Sequence, residues 1–438
     1  MKGLTLREIL TATGGVPLGG FRDFDMEAPP IVTNSKEASW PSMFVPYRGA
    51  RNDGHDFIEE ALDNGCIGCF TERELPAYRD DKLYVRVDSA VKAVWEVMAL
   101  WRSRLKTKLI CVTGSVGKTT TTGMIASVLR RRFRVFETVD NCNDEFLAPE
   151  MISRIEPDCE FAVLELGFGT NSSVSKMAKI LRPDVMVLTN VGYAHIRESG
   201  SLERTRDEKC GTEKGLAPGG FVIINGDDPL LRKYDYTRPV VTYGTDSRND
   251  VSLDGSFPVT ARHLTYPTLA AATVGRLFDL DADEIASGVL NFRQESGRMD
   301  VIERDGFMLI DSSFNASPAS MKMALDTLSE YGGKRIAVLG DMLELGAYAD
   351  ELHAEIGAYA TSGKADVLIA VGKYADAVLN GMRGDNVAAM KCADYAEAFE
   401  SVSGIIRECR NAGEKCVVMC KGSHGSNLHR LTGKLKEL

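Results

Sequence analysis

The sequence predicts an α/β protein of three domains, two of them built on mostly parallel sheets. Three observations carry this. The apolar run Leu109-Ile-Cys-Val112 reads as a buried strand and leads straight into Thr113-Gly-Ser-Val-Gly-Lys-Thr-Thr120, after which apolar residues recur at helical spacing from Thr122 to Leu129. Downstream, short apolar runs alternate with helical segments, the rhythm of parallel strands covered by helices. Beyond Gln294-Glu-Ser-Gly-Arg298 the alternation begins again, as a second doubly wound unit.

Taken in order, Met1 to Leu10 read as the start of an amphipathic helix and lack the apolar core of a signal peptide. Short helix and strand signals follow, with Asn52-Asp-Gly-His-Asp-Phe57 as a turn. Gly65-Cys-Ile-Gly-Cys-Phe70 reads as a buried strand. Its thiols, Cys66 and Cys69, are expected in the core, because no second pair at ligand spacing accompanies them. The basic Arg102-Ser-Arg-Leu-Lys-Thr-Lys108 marks a boundary, so domains are expected at 1–105, 106–297 and 298–438. The second should hold strands at 161–165, 185–188 and 220–224. The third should hold strands at 308–311, 335–339, 367–371 and 416–420. Such sheets receive ligands at the carboxyl ends of their strands.

Composition narrows the class. At 438 residues, 44% hydrophobic and 26% charged, the chain is an ordinary globular one. No apolar run is long enough to span a bilayer, so no membrane partner is expected. A net charge of −10 argues against a nucleic-acid backbone. Ten cysteines, several of them in apolar runs, and no signal peptide point to a reducing cytoplasm.

The chemistry centres on residues 113–120. Amides of Gly114, Ser115, Gly117, Lys118, Thr119 and Thr120 at a helix N-terminus suit a phosphate, with Lys118 as a point charge and Thr119 as a Mg²⁺ ligand. The strict phosphate-loop pattern asks for Gly where Val112 stands. The expected ligand is a nucleoside triphosphate. Glu165 ends a strand and becomes a metal-ligand candidate beside bound phosphates. His195 follows another strand and turn. Lys209 falls in the charged stretch Glu203 to Lys214, which by composition is a solvated helix face, and Asn225-Gly-Asp-Asp228 is a turn.

The succession Thr-Gly-x-x-Gly-Lys-Thr, Glu165-x-Gly167, Thr189-Asn-Val-Gly-Tyr-Ala-His195, Lys209, Asn225-x-Asp-Asp228 and Gly297-Arg298 resembles the Mur ligase family along essentially the whole chain. These are ATP-dependent amide-forming enzymes of cell-wall precursor synthesis. Asp53-Gly-His-Asp-Phe57 and Thr138 to Pro149 are similar to motifs of members that add the last residues of the stem peptide. Asp311 to Pro318, Leu339-Gly-Asp-Met-Leu-Glu-Leu-Gly346 with His353, and Lys421-Gly-Ser423 resemble those that add D-alanyl-D-alanine to a UDP-N-acetylmuramoyl-tripeptide. The resemblance implies an N-terminal UDP-precursor domain, a central P-loop ATPase domain and a C-terminal Rossmann-like domain for the amine.

It also implies roles. ATP and two Mg²⁺ sites are expected, held by Lys118, Thr119, Glu165, His195 and Lys209, the last as a carbamate. Arg298, Asp311 and Asn315 would close over the nucleotide. Ser35, Lys36, Asp53, His55, Asn141 and Asn143 would serve the UDP-linked peptide precursor. Lys421 and Ser423 would serve an amino acid or dipeptide amine. The substrate carboxylate would attack the γ-phosphoryl group, and the amine would displace phosphate from the acyl phosphate. Similar enzymes mostly act as monomers.

Several positions depart from the family pattern. Val116 stands for Asn, Ser172-Ser173 for Gly-Glu, Asp140 and Asp144 for Gly and Asn, and His263-Leu-Thr-Tyr-Pro267 for His-Asn-x-x-Asn. The stretch from Gly244 to His263 is short, and Ser312, Ser317 and His424 replace Asp, Asn and Arg. These leave open a ligase for another carboxylate and amine, and a nucleotide-binding paralogue that does not ligate. A generic P-loop NTPase or kinase would leave the terminal motifs unexplained.

Overall fold

The computed structural model describes the chain except residues 40, 50, 51, 140, 141, 170–172, 254 and 385. Three sheets follow one another along the sequence. The first holds β1 (Val16–Leu18), β2 (Ile31–Val32), β3 (Met43–Phe44), β4 (Gly68–Thr71) and β5 (Leu83–Arg86), in the order β1-β5-β4-β3-β2. Helices α1 (Leu6–Thr13), α2 (Ile58–Asp63) and α3 (Ala90–Arg104) accompany it. Helix α1 starts at a capping box, Thr5 with Glu8.

The central sheet holds β6 (Lys108–Thr113), β7 (Val135–Glu137), β8 (Phe161–Glu165), β9 (Val185–Leu188), β10 (Phe221–Asn225) and β11 (Val240–Tyr243). All of its pairs are parallel, in the order β11-β10-β9-β6-β8-β7. Its helices are α4 (Lys118–Leu129), α5 (Ala148–Ser153), α6 (Val174–Leu181), α7 (Ile196–Ser199), α8 (Leu202–Cys210), α9 (Pro229–Arg232), α10 (Thr265–Leu277) and α11 (Ala282–Asn291). Strands β8 and β9 are buried at every residue, which is why their sequences read as unbroken apolar runs rather than alternating ones.

The third sheet holds β12 (Asp300–Arg304), β13 (Phe307–Ser312), β14 (Lys334–Leu339), β15 (Val367–Val371), β16 (Ala388–Cys392) and β17 (Cys416–Lys421), ordered β12-β13-β17-β14-β15-β16. Only the β12–β13 pair is antiparallel among its described strands. Helices α12 (Pro318–Ser329), α13 (Ala349–Ala360), α14 (Ala375–Asn380), α15 (Tyr395–Ala412) and α16 (Leu428–Leu435) cover it. The strands predicted in the second and third domains are all present, each bound within one residue of the sequence reading, while the strand read at 65–70 is confined to Gly68–Thr71.

The first two sheets share one hydrophobic core, in which Val97 and Trp101 of α3 join Leu109, Ile152 and Leu164. Polar bonds reinforce the seam. The Ile31 N–H donates to Ser153 Oγ at 2.9 Å, the Thr33 N–H to Glu150 Oε2 at 3.0 Å, and Trp95 Nε1–H to the Glu145 carbonyl at 2.9 Å. The third domain meets the centre through a smaller contact, where Ile196, Tyr193 and Leu202 enter its core. Cys66 and Cys69 are buried free thiols in and beside β4, as expected of core residues. Among the described residues no helix is long and apolar enough to cross a membrane.

Candidate active site

The cleft lies between the carboxyl ends of the central strands and the third domain. At its floor β6 turns through residues 114–117 into α4. Gly114 takes φ +153°, and a Cβ there would sit 1.8 Å from Thr189 Oγ1, so a side chain is excluded. Gly117, at φ +79°, is the N-cap of α4, and no side chain caps that helix. Its first amides and the positive end of its dipole therefore suit an anion.

The loop is braced from β9. Thr189 Oγ1 and Asn190 Nδ2 donate to the Val116 carbonyl at 2.7 and 2.9 Å, while the Val116 N–H donates to Asn190 Oδ1 at 2.9 Å. The Gly192 N–H donates to Ser115 Oγ at 2.8 Å. The Thr189-Asn-Val-Gly192 segment thus holds the loop in shape, a task that the motif's spacing alone did not reveal. Because Val116 is held by its backbone, its apolar side chain does not disturb the turn.

Beside the loop, Thr119 Oγ1–H donates to Glu165 Oε2 at 2.6 Å and Asn143 Nδ2–H donates to Oε1 at 2.5 Å. The Glu165 N–H is held by Thr138 Oγ1 at 2.9 Å. Lys118 stands near Glu165; burial lowers its ammonium, the carboxylate opposes that, and Arg298 adds to it. Phe168 separates the two remaining central-domain residues. Its ring meets His195 edge-on at 6.2 Å, and Lys209 Nζ lies 5.5 Å from its centroid.

Lys209 corrects the sequence reading. It is not on a solvated face but 1% exposed, although its helix is highly charged. Glu203, Arg204 and Asp207 of α8 are exposed and Glu208 bonds Ser173 of the neighbouring helix start at 2.6 Å, while this one position turns inward against Phe168. Burial first, then Lys118, pushes its amine down to about 7.

The third domain supplies the roof. Arg298, Phe314, Asn315 and Lys421 line the same cleft as Lys118 and Glu165. The Arg298 guanidinium stacks over Phe314 at 4.1 Å and bonds Glu295 at 3.1 Å. His263 and Tyr266, from the altered His263-to-Pro267 segment, also line the cleft, and His263 Nε2 meets Gln294 Oε1 at 3.1 Å. Glu344, quoted within a motif but given no role, pairs with His195 Nδ1 at 2.5 Å.

Other expected residues lie elsewhere. Asp311 is buried but accepts from Ser313 Oγ at 2.7 Å and from Lys436 Nζ at 2.7 Å, outside the cleft lining. The reason is strand alternation, which turns Asp311 away from the face that Ser312 shares with Lys421. Ser423 is buried too, its Oγ accepting from the Leu343 N–H at 3.0 Å. In the first domain Ser35 Oγ–H donates to Glu60 Oε2 at 2.6 Å and Lys36 is exposed. Both nitrogens of buried His55 are engaged: Nε2 accepts from the Glu72 N–H at 3.0 Å, leaving Nδ1–H to donate to Asp53 at 2.6 Å. These two residues build a turn rather than present a free imidazole. Asn141 lies outside the described residues, as do Asp140 and Ser172.

A phosphate loop facing a Rossmann-like domain across a cleft lined from both sides defines an ATP-dependent ligase. Comparison with known proteins agrees. The Mur ligase middle domain matches residues 112–267, and the Mur ligase, glutamate ligase domain, matches residues 297–424. The chain belongs to the Mur ligase family. It is 30% identical over 434 residues to the UDP-N-acetylmuramoyl-tripeptide–D-alanyl-D-alanine ligase of Bacillus subtilis, covering 93% of each chain. The Escherichia coli enzyme of that name is 28% identical, over 82% of this chain and 85% of its own. A MurF crystal structure from Acinetobacter baumannii superposes with a TM-score of 0.87 at 24% identity, covering 99% of both chains. MurF ligase of Thermotoga maritima, solved with ADP, superposes at 0.79 with 26% identity, covering 93% of this chain and 98% of that one.

Proposed function

We propose that this chain joins D-alanyl-D-alanine to UDP-N-acetylmuramoyl-tripeptide at the expense of ATP, in the cytoplasmic synthesis of peptidoglycan precursor. The observation that carries the reading is the convergence of Lys118, Thr119 and Glu165 from the centre with Arg298, Asn315 and Lys421 from the third domain on one cleft. A pure nucleotide hydrolase needs only the first set. We assign residues 1–105 to the UDP-linked precursor, 106–297 to ATP and 298–438 to the amine, a division in which each sheet stays whole.

The donor set fits a magnesium nucleotide. The uncapped start of α4 suits the β and γ phosphates, and the Thr119 hydroxyl with the Glu165 carboxylate suits one Mg²⁺. No group of three or more His, Cys, Asp or Glu at metal spacing exists among the described residues, so phosphate oxygens and water would complete the coordination. His195 and Lys209 flank Phe168 where a second ion would be held. A buried lysine with its amine near 7 is the kind that can carry a carbamate. Bound there, the ions would neutralise phosphate charge.

The chain's own residues do the rest. Lys118 and Arg298 place positive charge beside the γ-phosphoryl oxygens, favouring attack by the substrate carboxylate. Closure of the third domain excludes water from the acyl phosphate until the amine displaces phosphate. The test is phosphate release from ATP with the UDP-tripeptide, with and without D-alanyl-D-alanine. Release that needs both substrates, with the dipeptide mass added to the product, is expected. Release indifferent to the amine would overturn the reading.

A further inference from the structure

Lys421 ends β17 in the wall of the cleft, 5% exposed. In the parallel pairing of β13 with β17 it stands in register with Ser312. Its Nζ donates to Ser312 Oγ at 3.1 Å and to the Asn315 carbonyl at 2.9 Å. A buried ammonium ordinarily sits against a carboxylate, since leaving water without one is costly. Here, among the described residues, its hydrogen-bond partners are a hydroxyl and a carbonyl, and no carboxylate pairs with it.

The charged groups on the surrounding elements are committed elsewhere. Asp311, on the other face of β13, bonds Lys436 at 2.7 Å. Asp341, just past β14, accepts from the N–H groups of Lys373 and Tyr374 at 3.1 and 2.9 Å. Lys322 of α12 pairs with Glu355 at 2.6 Å, and His424 stacks on His429 at 4.6 Å beyond the strand end. The charged neighbour that acts on Lys421 is a cation, Arg298. Burial first and Arg298 second push the Lys421 amine down to about 7. A neutral amine that gives both N–H groups to Ser312 and Asn315 keeps one lone pair.

We infer that Lys421, as the neutral amine, accepts the ammonium proton of the incoming amine substrate and so frees it to attack. The inference rests on the proposed ligation. One proton passes from the substrate ammonium to Lys421 Nζ. The freed nitrogen lone pair forms the C–N bond. The bond from the carbonyl carbon to the phosphate oxygen breaks with its electron pair, and the second N–H proton leaves with the phosphate. Lys421 then returns its proton to solvent. Ser312 is what permits this, because an aspartate in that register would hold Lys421 as a permanent ammonium.

The test is the pH dependence of kcat/KM for D-alanyl-D-alanine, with ATP and UDP-tripeptide saturating, beside hydroxamate formation from hydroxylamine, which is already neutral at neutral pH. Ser312→Asp should move the acidic limb upward by about one pH unit or more, since an opposite charge at contact raises an ammonium pKa. The substrate's own ionisation is the same in both proteins and cannot produce that shift. Lys421→Met should raise the ratio of hydroxamate to amide formation about a hundredfold, the usual worth of a proton acceptor. An unmoved limb in a folded Ser312→Asp protein, or an unchanged ratio in Lys421→Met, overturns the inference. Absence of hydroxamate from the wild-type protein overturns the ligase reading itself, and the inference with it.

Discussion

The imidazole of His195 and the carboxylate of Glu344, contributed by different domains, meet with Nδ1 2.5 Å from Oε2, and each residue sits at positive φ, 59° and 64°. Two strained backbones are kept for one contact. With Nδ1 turned to the carboxylate, Nε2 is the ring nitrogen left free of it. Beside it, the Arg197 N–H donates to the Glu344 carbonyl at 3.1 Å.

Glu344→Gln should therefore lower kcat/KM by about tenfold or more without unfolding the protein, because the imidazole loses its anionic partner. Steady-state phosphate release would show it. The hydrogen bond from His195 holds the Glu344 carboxyl below its ordinary range. A depressed carboxyl stabilises the fold above its unfolded value and loses that effect as pH falls through the folded one. Thermal midpoints of wild type and variant should differ at neutral pH and converge below about pH 4.

Gly114→Ala would drive a methyl group into Thr189 Oγ1 and open the loop. Saturation with a non-hydrolysable ATP analogue and Mg²⁺ at a hundred times Kd should stabilise the wild type by about 2.7 kcal/mol. The variant should gain almost nothing, and denaturant unfolding with and without the nucleotide would reveal the difference.

Lys209→Ala should abolish ligation and also destabilise the fold by about 2 kcal/mol or more, because it empties a buried site beside Phe168. Lys209→Met fills that space and should keep most of the stability while still failing to ligate. Parallel unfolding curves and turnover assays separate packing from chemistry. Equal stability of the two variants would refute the packing claim.

Lys421 carries a stability signature of its own. Its amine is lowered in the folded state, so between about 7 and the unfolded lysine value of about 10.4 the unfolded chain binds the extra proton. Stability from this group rises with pH across that window, by at most about 1.4 kcal/mol per pH unit, and is flat below it. Lys421→Met should remove this slope in denaturant titrations at neutral and mildly alkaline pH.

What the sequence made legible was local. The phosphate loop, its flanking strand and helix, and the apolar strands are written in neighbouring residues, and the strands from 109 onward were found within one residue. Lys209 was misjudged because its burial comes from Phe168, forty-one positions away, while its helix neighbours are charged. His55 looked free because nothing near it announces that the Glu72 amide will occupy its Nε2. Asp311 and Ser312 were separable only by knowing which face of β13 looks into the cleft. Glu344 needed the third domain placed against α7 before its partner could be named.

The shared core of the first two domains has a mechanical consequence. Val97 and Trp101 cannot slide past Leu109 and Leu164 without exposing apolar surface, so the first domain and the phosphate loop are tied into one packed body. The covalent crossing to the third domain runs through residues 292–299, and it ends at Met299, which is held at φ 72°. A non-glycine residue in that conformation is a loaded spring. The chain thus enters the third domain through one strained backbone conformation, at a methionine where a glycine would be at ease.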